Sequence, residues 1–183
     1  DYFLQDIAGD SVIVARGHDG TVRAFHNVCR HRGSKILETP RGTGLKRLLC
    51  PYHAWSYELD GSVANAPQMG EGFRKEQFSL VPVRLGQYNG FIFLNLDEAA
   101  QPLERYLADL PDFSRFHLAD LRCGKRMEYE VAANWKLICE NYSECYHCPT
   151  CHPALSEVLE MDPKLHKLSV GGRYWISHEV PFR

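Results

Sequence analysis

Two short segments of this 183-residue chain each set one cysteine and one histidine almost side by side: Cys29-Arg30-His31 and Cys50-Pro51-Tyr52-His53. Eighteen residues separate them. Thiolate and neutral imidazole are metal ligands, and the set Cys29, His31, Cys50 and His53 can act in two ways. It can hold a tetrahedral Zn²⁺. It can also hold a [2Fe–2S] cluster in which two thiolates bind one iron and two imidazoles the other, an arrangement that raises the reduction potential. Zinc knuckles more often pair their cysteines as C-x₂-C, which favours the cluster.

A second group runs from Glu140 to His152. A helix drawn through 134–148 puts Trp135, Ile138, Cys139, Tyr142, Cys145 and Tyr146 on one side, the expected core face. Glu140, Glu144 and His147 fall on the other at i, i+4 and i+7. Alone, such a stripe looks like any solvated helix face. His152 follows His147 by five residues, however, and Pro149 stops one continuous helix from setting the two imidazoles about 140° apart. A turn can then bring them together. Non-heme Fe(II) sites need two histidines and a carboxylate on one face of the ion, with positions left for O₂ and substrate. His147 and His152 are candidates for the histidines. Glu157, Asp162 and Glu179 are nearby carboxylates, and none is assigned as the third ligand. Cys145, Cys148 and Cys151 form a C-x₂-C-x₂-C run without the fourth cysteine of a ferredoxin spacing, so they are read as small buried residues. His18, His26, His117, His166 and His178 show no ligand spacing and are expected to serve packing or the surface.

Strands must carry the first group. β-Branched and aromatic runs predict them at 12–14, 21–25, 45–49, 55–59, 80–83 and 91–96, with Asp19-Gly20 and Asp60-Gly61 as turns. Leu103, Tyr106, Leu107 and Leu110 predict a helix that Pro111 ends. A strand is expected at 127–133, a helix at 134–148 stopped by Pro149, and a strand at 173–180 after Gly171-Gly172.

Composition bounds the function. With 44% hydrophobic and 24% charged residues the chain can bury a core. A net charge of −2 without any Lys/Arg run disfavours nucleic acid. No apolar stretch is long enough to span a bilayer, and 1–25 lack a signal-peptide layout, so a soluble cytoplasmic protein is expected, with no membrane partner. Seven cysteines, five of them within 123–151, fit metal ligation and reduced thiols better than a disulfide scaffold.

Cys29-Arg30-His31-Arg32-Gly33 and Cys50-Pro51-Tyr52-His53-Ala54-Trp55 resemble the paired ligand loops of Rieske non-heme iron oxygenases. Asn134-Trp135-Lys136, with Glu140-Asn141-Tyr142-Ser143-Glu144-Cys145-Tyr146-His147 through His152-Pro153, resembles the mononuclear iron motif of their α subunits. Membrane-bound, quinol-oxidising Rieske proteins carry an extra cysteine in each loop, where this chain has Ser34 and Tyr52.

The resemblance implies an α+β protein. A β-rich Rieske [2Fe–2S] domain would occupy 1–110, followed over 111–183 by the start of an α+β, helix-grip-like catalytic domain. It implies a Rieske cluster on Cys29, His31, Cys50 and His53, and mononuclear Fe(II) on His147 and His152. The family's third, carboxylate ligand lies far beyond the second histidine and outside these residues; a chain ending at Arg183 would be inactive. Glu144 takes the place of the carboxylate that links the iron to a Rieske histidine of the neighbouring subunit, implying a homotrimer, and Glu140 is a candidate supporting group near the iron. A flavin and iron–sulfur reductase or a ferredoxin would donate electrons. O₂ and a small organic molecule would be the substrates. Glutamate at 144, where most ring-hydroxylating members have aspartate, is similar to the subgroup that oxidises quaternary ammonium compounds such as carnitine and glycine betaine. The implied function is therefore the oxygenase component that hydroxylates such a compound. Aromatic-ring dioxygenation is the alternative. A Rieske-type electron-transfer protein would need only the first group and would leave 127–153 unexplained.

Overall fold

The computed structural model describes residues 1–183 except Cys145, Gly171, Arg173 and Tyr174. The chain divides into two compact units, Asp1–Ala100 and Gln101–Arg183.

The first unit is built around one strand. The run Val12-Ile13-Val14-Ala15 is β-branched but for its last residue and fully buried, and it forms the middle of β2 (Asp10–Arg16). β1 (Tyr2–Ile7) pairs with it antiparallel from Tyr2↔Ala15 to Ile7↔Asp10, and β3 (Val22–His26) from Val12↔His26 to Arg16↔Val22. With β4 (Arg41–Gly42), β8 (Pro82–Tyr88) and β9 (Phe91–Asn95) these make a six-stranded sheet in the order β4-β1-β2-β3-β8-β9. Alternation along β2 splits the core in two. Ile13 and Ala15 join Phe25 on one face, while Val12 and Val14 join Val22, Ala24 and Val83 on the other. The first face also takes Cys29, Leu48, Cys50, Trp55, Tyr57 and Leu59, so the ligand loops are anchored in this layer. A smaller sheet of β5 (Leu48–Leu49), β6 (Ser56–Tyr57) and β7 (Val63–Asn65) carries the second loop between β5 and β6.

The strands expected at 45–49 and 55–59 shrink to two residues each, because the chain between them is spent on the loop that holds Cys50 and His53. Asp19 and Asp60 stand at turns as expected, each accepting a backbone N–H two residues on, from Thr21 and Ser62. Gly61 has φ +89°, and a Cβ there would meet the buried Phe25 ring at 2.5 Å. Two further hairpins turn at Ala8-Gly9 and Asn89-Gly90, both residues of each with positive φ as a type I′ turn requires.

The second unit departs further from the sequence expectations. The helix expected to run to Pro111 is only α1 (Leu103–Tyr106). No strand forms at 127–133, since no described strand pairs with this exposed segment and an unpaired strand leaves its backbone groups to water. α2 (Trp135–Tyr142) begins as predicted, with Asn134 Oδ1 accepting the Lys136 N–H at 3.0 Å, but ends at Tyr142 rather than reaching 148. Ser143 Oγ donates to the Cys139 carbonyl at 2.8 Å and closes the last turn. Pro149 stands in the first turn of α3 (Cys148–Cys151), and Pro153 starts α4 (Pro153–Ser156), because proline lacks only an N–H that the first turn leaves unpaired anyway. β10 (Lys167–Val170) and β11 (Ile176–Glu179) pair antiparallel from Lys167↔Glu179 to Val170↔Ile176; the rest of the strand expected from 173 includes residues outside those described.

The expected core face of α2 is exposed: Trp135 at 69%, Ile138 at 47% and Tyr142 at 89%, with Tyr146 beyond it at 92%. Amphipathic spacing identifies an apolar face, but no described element packs broadly across this one. The inward direction expected of Cys145 lies outside the described residues. Among the described residues no helix is long and apolar enough to cross a membrane.

Candidate metal centres

The two Cys-His loops are built alike. Cys29 N–H donates to the Ser34 carbonyl at 2.8 Å, and Cys50 N–H to the Trp55 carbonyl at 2.8 Å, so each loop closes over six residues. Each has a left-handed residue four positions after its cysteine, Gly33 at φ +73° and Ala54 at φ +58°. The buried Asn27 pins the first loop. Its Oδ1 accepts N–H groups from Ile36 and Leu37, both at 3.0 Å, and its Nδ2 donates to the Leu37 carbonyl at 2.7 Å and Ser11 Oγ at 3.2 Å.

Both cysteines lie at 2% exposure, whereas His31 is half-buried and His53 exposed. The thiols are thus inside and the imidazoles at the rim. The imidazole rings sit 4.7 Å apart between centroids, and His31 stacks flat on Trp55 at 5.0 Å and 2°. Burial lowers the His31 pKa from its ordinary value, with His53 and Arg32 adding to the effect, and so favours the neutral imidazole that a metal needs. Burial likewise pushes the Cys50 thiol up; the backbone N–H groups of Tyr52 and His53 pull it down, and Cys29 pushes it up again. A protonated, buried thiol ringed by N–H donors becomes a favourable thiolate once a cation replaces the proton. Among the described residues no group of three or more His, Cys, Asp or Glu side chains is gathered to hold one ion. A binuclear cluster asks only two protein ligands of each iron, and this donor set fits one.

In the second unit α3 separates His147 from His152, which stand at its two ends. The turn sets their rings 5.3 Å apart between centroids. Glu144 is drawn to the same place: its Oε1 lies 2.6 Å from His147 Nδ1, and its Oε2 accepts the Tyr146 N–H at 2.7 Å. Those two bonds, in that order, hold its carboxyl below the usual range. Because the helix ends at Tyr142, Glu144 and His147 meet through a turn, not along the helix stripe expected. Glu140 remains on α2, exposed, and does not line the cleft that the others share. That cleft, of about 460 Å³, is lined by Glu144, His147, His152 and aliphatic groups including Leu155, Leu159, Ile176 and Val180. His178 also lines it, although its spacing gave no ligand signal. The alternation Ile176, His178, Val180 on one strand face is the signal that finds it. Of the C-x₂-C-x₂-C run, Cys148 is buried and Cys151 exposed, while Cys145 is outside the described residues. Glu157, Asp162 and Glu179 do not line the cleft.

Two family models match the chain: a Rieske [2Fe–2S] domain over residues 2–88, and the catalytic domain of the ring-hydroxylating α subunit over residues 118–178. The carnitine monooxygenase oxygenase subunit of Acinetobacter pittii is 40% identical over 174 residues, which cover 91% of this chain and 46% of that protein. The glycine betaine monooxygenase oxygenase subunit of Chromohalobacter salexigens is 40% identical over 164 residues, 88% of this chain and 37% of that protein. Among solved structures, a quaternary ammonium Rieske monooxygenase, described for carnitine oxidation by gut microbiota and inter-subunit electron transfer, superposes with a TM-score of 0.83 at 36% identity. The match covers 97% of this chain and 49% of that one. The chain thus spans less than half the length of these relatives.

Proposed function

We propose that this chain, which belongs to the Rieske non-heme iron oxygenase α-subunit family, is part of an oxygenase that hydroxylates a small quaternary ammonium compound with O₂ and externally supplied electrons. The observation that carries the reading is the Glu144 to His147 bond in a cleft shared with His152, on a chain 40% identical to both carnitine and glycine betaine oxygenase subunits.

In this reading residues 1–110 form the Rieske domain, with Cys29 and Cys50 holding one iron of the [2Fe–2S] cluster and His31 and His53 the other. Residues 111–183 belong to the catalytic domain, where His147 and His152 hold a mononuclear Fe(II) and a carboxylate from outside these residues completes the set. When bound, the cluster supplies single electrons and the Fe(II) supplies reductive activation of O₂. The residues prepare both places. Buried Cys29 and Cys50 exclude water from the sulfur side, while the rim histidines remain within reach of a partner. His147 Nδ1–H donates to Glu144 Oε1, which leaves Nε2 with the lone pair that a metal requires. The outer oxygen of Glu144 can then accept from a Rieske histidine of a neighbouring subunit, in a homotrimer supplied by a flavin and iron–sulfur reductase or a ferredoxin. A cytoplasmic place fits the reduced thiols that such ligation needs.

Hydroxylation of a carbon bonded to the quaternary nitrogen gives an unstable product that collapses to an amine and a carbonyl compound. The test joins metals and turnover in the full-length protein. Dithionite-reduced protein should give a Rieske electron paramagnetic resonance signal, with iron near three per chain. With reductase and O₂ it should release amine from L-carnitine or glycine betaine. Stoichiometric zinc and no such signal would overturn the metal reading. Intact metals with turnover of aromatic hydrocarbons alone would favour ring dioxygenation.

A further inference from the structure

We propose that His178 is the substrate-binding donor of the cleft, taking the carboxylate of a zwitterionic quaternary ammonium substrate. The inference rests on the function proposed above and goes beyond it by naming the group that recognises the end of the substrate remote from the reacting carbon.

Three observations carry it. Ile176, His178 and Val180 alternate along β11 and its extension, and all three line the cleft, so one imidazole stands between two aliphatic side chains on a single wall. His147 and His152 are committed elsewhere in this reading, His147 through its bond to Glu144 and both as metal ligands. His178 is left as an imidazole of the cleft with no such duty. Finally, its ring is braced: His166, which does not line the cleft, meets it edge to face, with centroids 5.3 Å apart, and His166 Nε2 is itself tied to the Glu160 carbonyl at 2.8 Å. A braced donor loses little freedom when it binds.

The chemistry of a betaine divides between these parts. Its methylated ammonium offers no hydrogen bond and is accommodated by the aliphatic walls of Leu155, Leu159, Ile176 and Val180. Its carboxylate needs an N–H donor, and a charge-assisted bond of that kind discriminates strongly against an analogue without the acceptor. A cleft of about 460 Å³ has room for such a molecule.

The experiment measures binding to the iron-loaded full-length protein by calorimetry, with two probes, L-carnitine and tetramethylammonium. The second has the cation and lacks the carboxylate. His178→Ala should weaken L-carnitine by about tenfold or more and leave tetramethylammonium within about twofold. His178→Gln, which retains a donor, should recover much of the loss, and iron content should stay at the wild-type level in both. Equal weakening of both probes, or loss of iron, would assign His178 a structural or metal-holding role and overturn the proposal. Unchanged L-carnitine binding in His178→Ala would overturn it and leave the oxygenase reading standing. If wild-type protein with intact metals binds neither probe, the quaternary ammonium reading itself fails, and this inference with it.

Discussion

The Tyr57 hydroxyl accepts the Arg30 backbone N–H at 3.0 Å, which leaves its own proton free for Cys29 Sγ, 3.3 Å away. Burial, followed by the bond to Cys29, raises the Tyr57 pKa, so the hydroxyl stays protonated at neutral pH. A hydrogen bond to a ligand sulfur stabilises the more negative, reduced cluster and raises its potential. Tyr57→Phe should therefore keep the cluster and lower its midpoint potential by tens of millivolts, read by a redox titration followed by electron paramagnetic resonance. An unchanged potential would mean that the hydroxyl serves only packing.

Asn27 satisfies two N–H groups and one carbonyl of the segment that follows the first loop, from a fully buried position. Asn27→Leu keeps comparable volume and leaves those groups unpaired. The expected loss is on the order of 3 kcal/mol, measured by urea unfolding with loss of visible absorption preceding loss of far-ultraviolet circular dichroism.

Glu144 and His147 should separate two kinds of failure. Glu144→Ala removes the group that orients His147 and should leave both metals bound while coupled turnover is abolished. His147→Ala should lose the mononuclear iron and spare the cluster, whose proposed ligands Cys29, His31, Cys50 and His53 belong to the other unit. Full turnover in Glu144→Ala would end the bridging role.

The Asp60 carboxyl is held below its ordinary range by the Ser62 hydroxyl at 2.6 Å and then by the Ser62 N–H at 2.9 Å. A folded pKa below the unfolded value means that this turn contributes fully above about pH 3.9 and loses its contribution as pH falls through the lowered value. The Ser62 amide resonance should titrate with a midpoint below about 3.9. A midpoint at the ordinary value would show the bond to be absent in solution.

That Cys29 and His31, like Cys50 and His53, share a short loop could be read from residue type and spacing, because a loop of six residues keeps both. β2 and β3 were legible for a related reason, since the short β-branched and aromatic runs Val12-Ile13-Val14 and Val22 to Phe25 flank the Asp19-Gly20 turn. Glu144, His147 and His152 could be named from the same kind of local pattern, and the prediction that a proline-bounded turn would join the two imidazoles holds. The helix drawn through them does not, because where a helix ends depends on competing side-chain bonds, here Ser143 to Cys139, that periodicity does not contain. Tertiary structure alone decided that Tyr57 meets Cys29, that Trp55 lies on His31, and that His178 enters the cleft. Tyr57 and Cys29 are 28 residues apart along the chain, and their contact follows from the packing of the smaller sheet against the face of β2. Spacing along a chain specifies what neighbours in sequence can do together; which distant groups face them is settled only when the core closes.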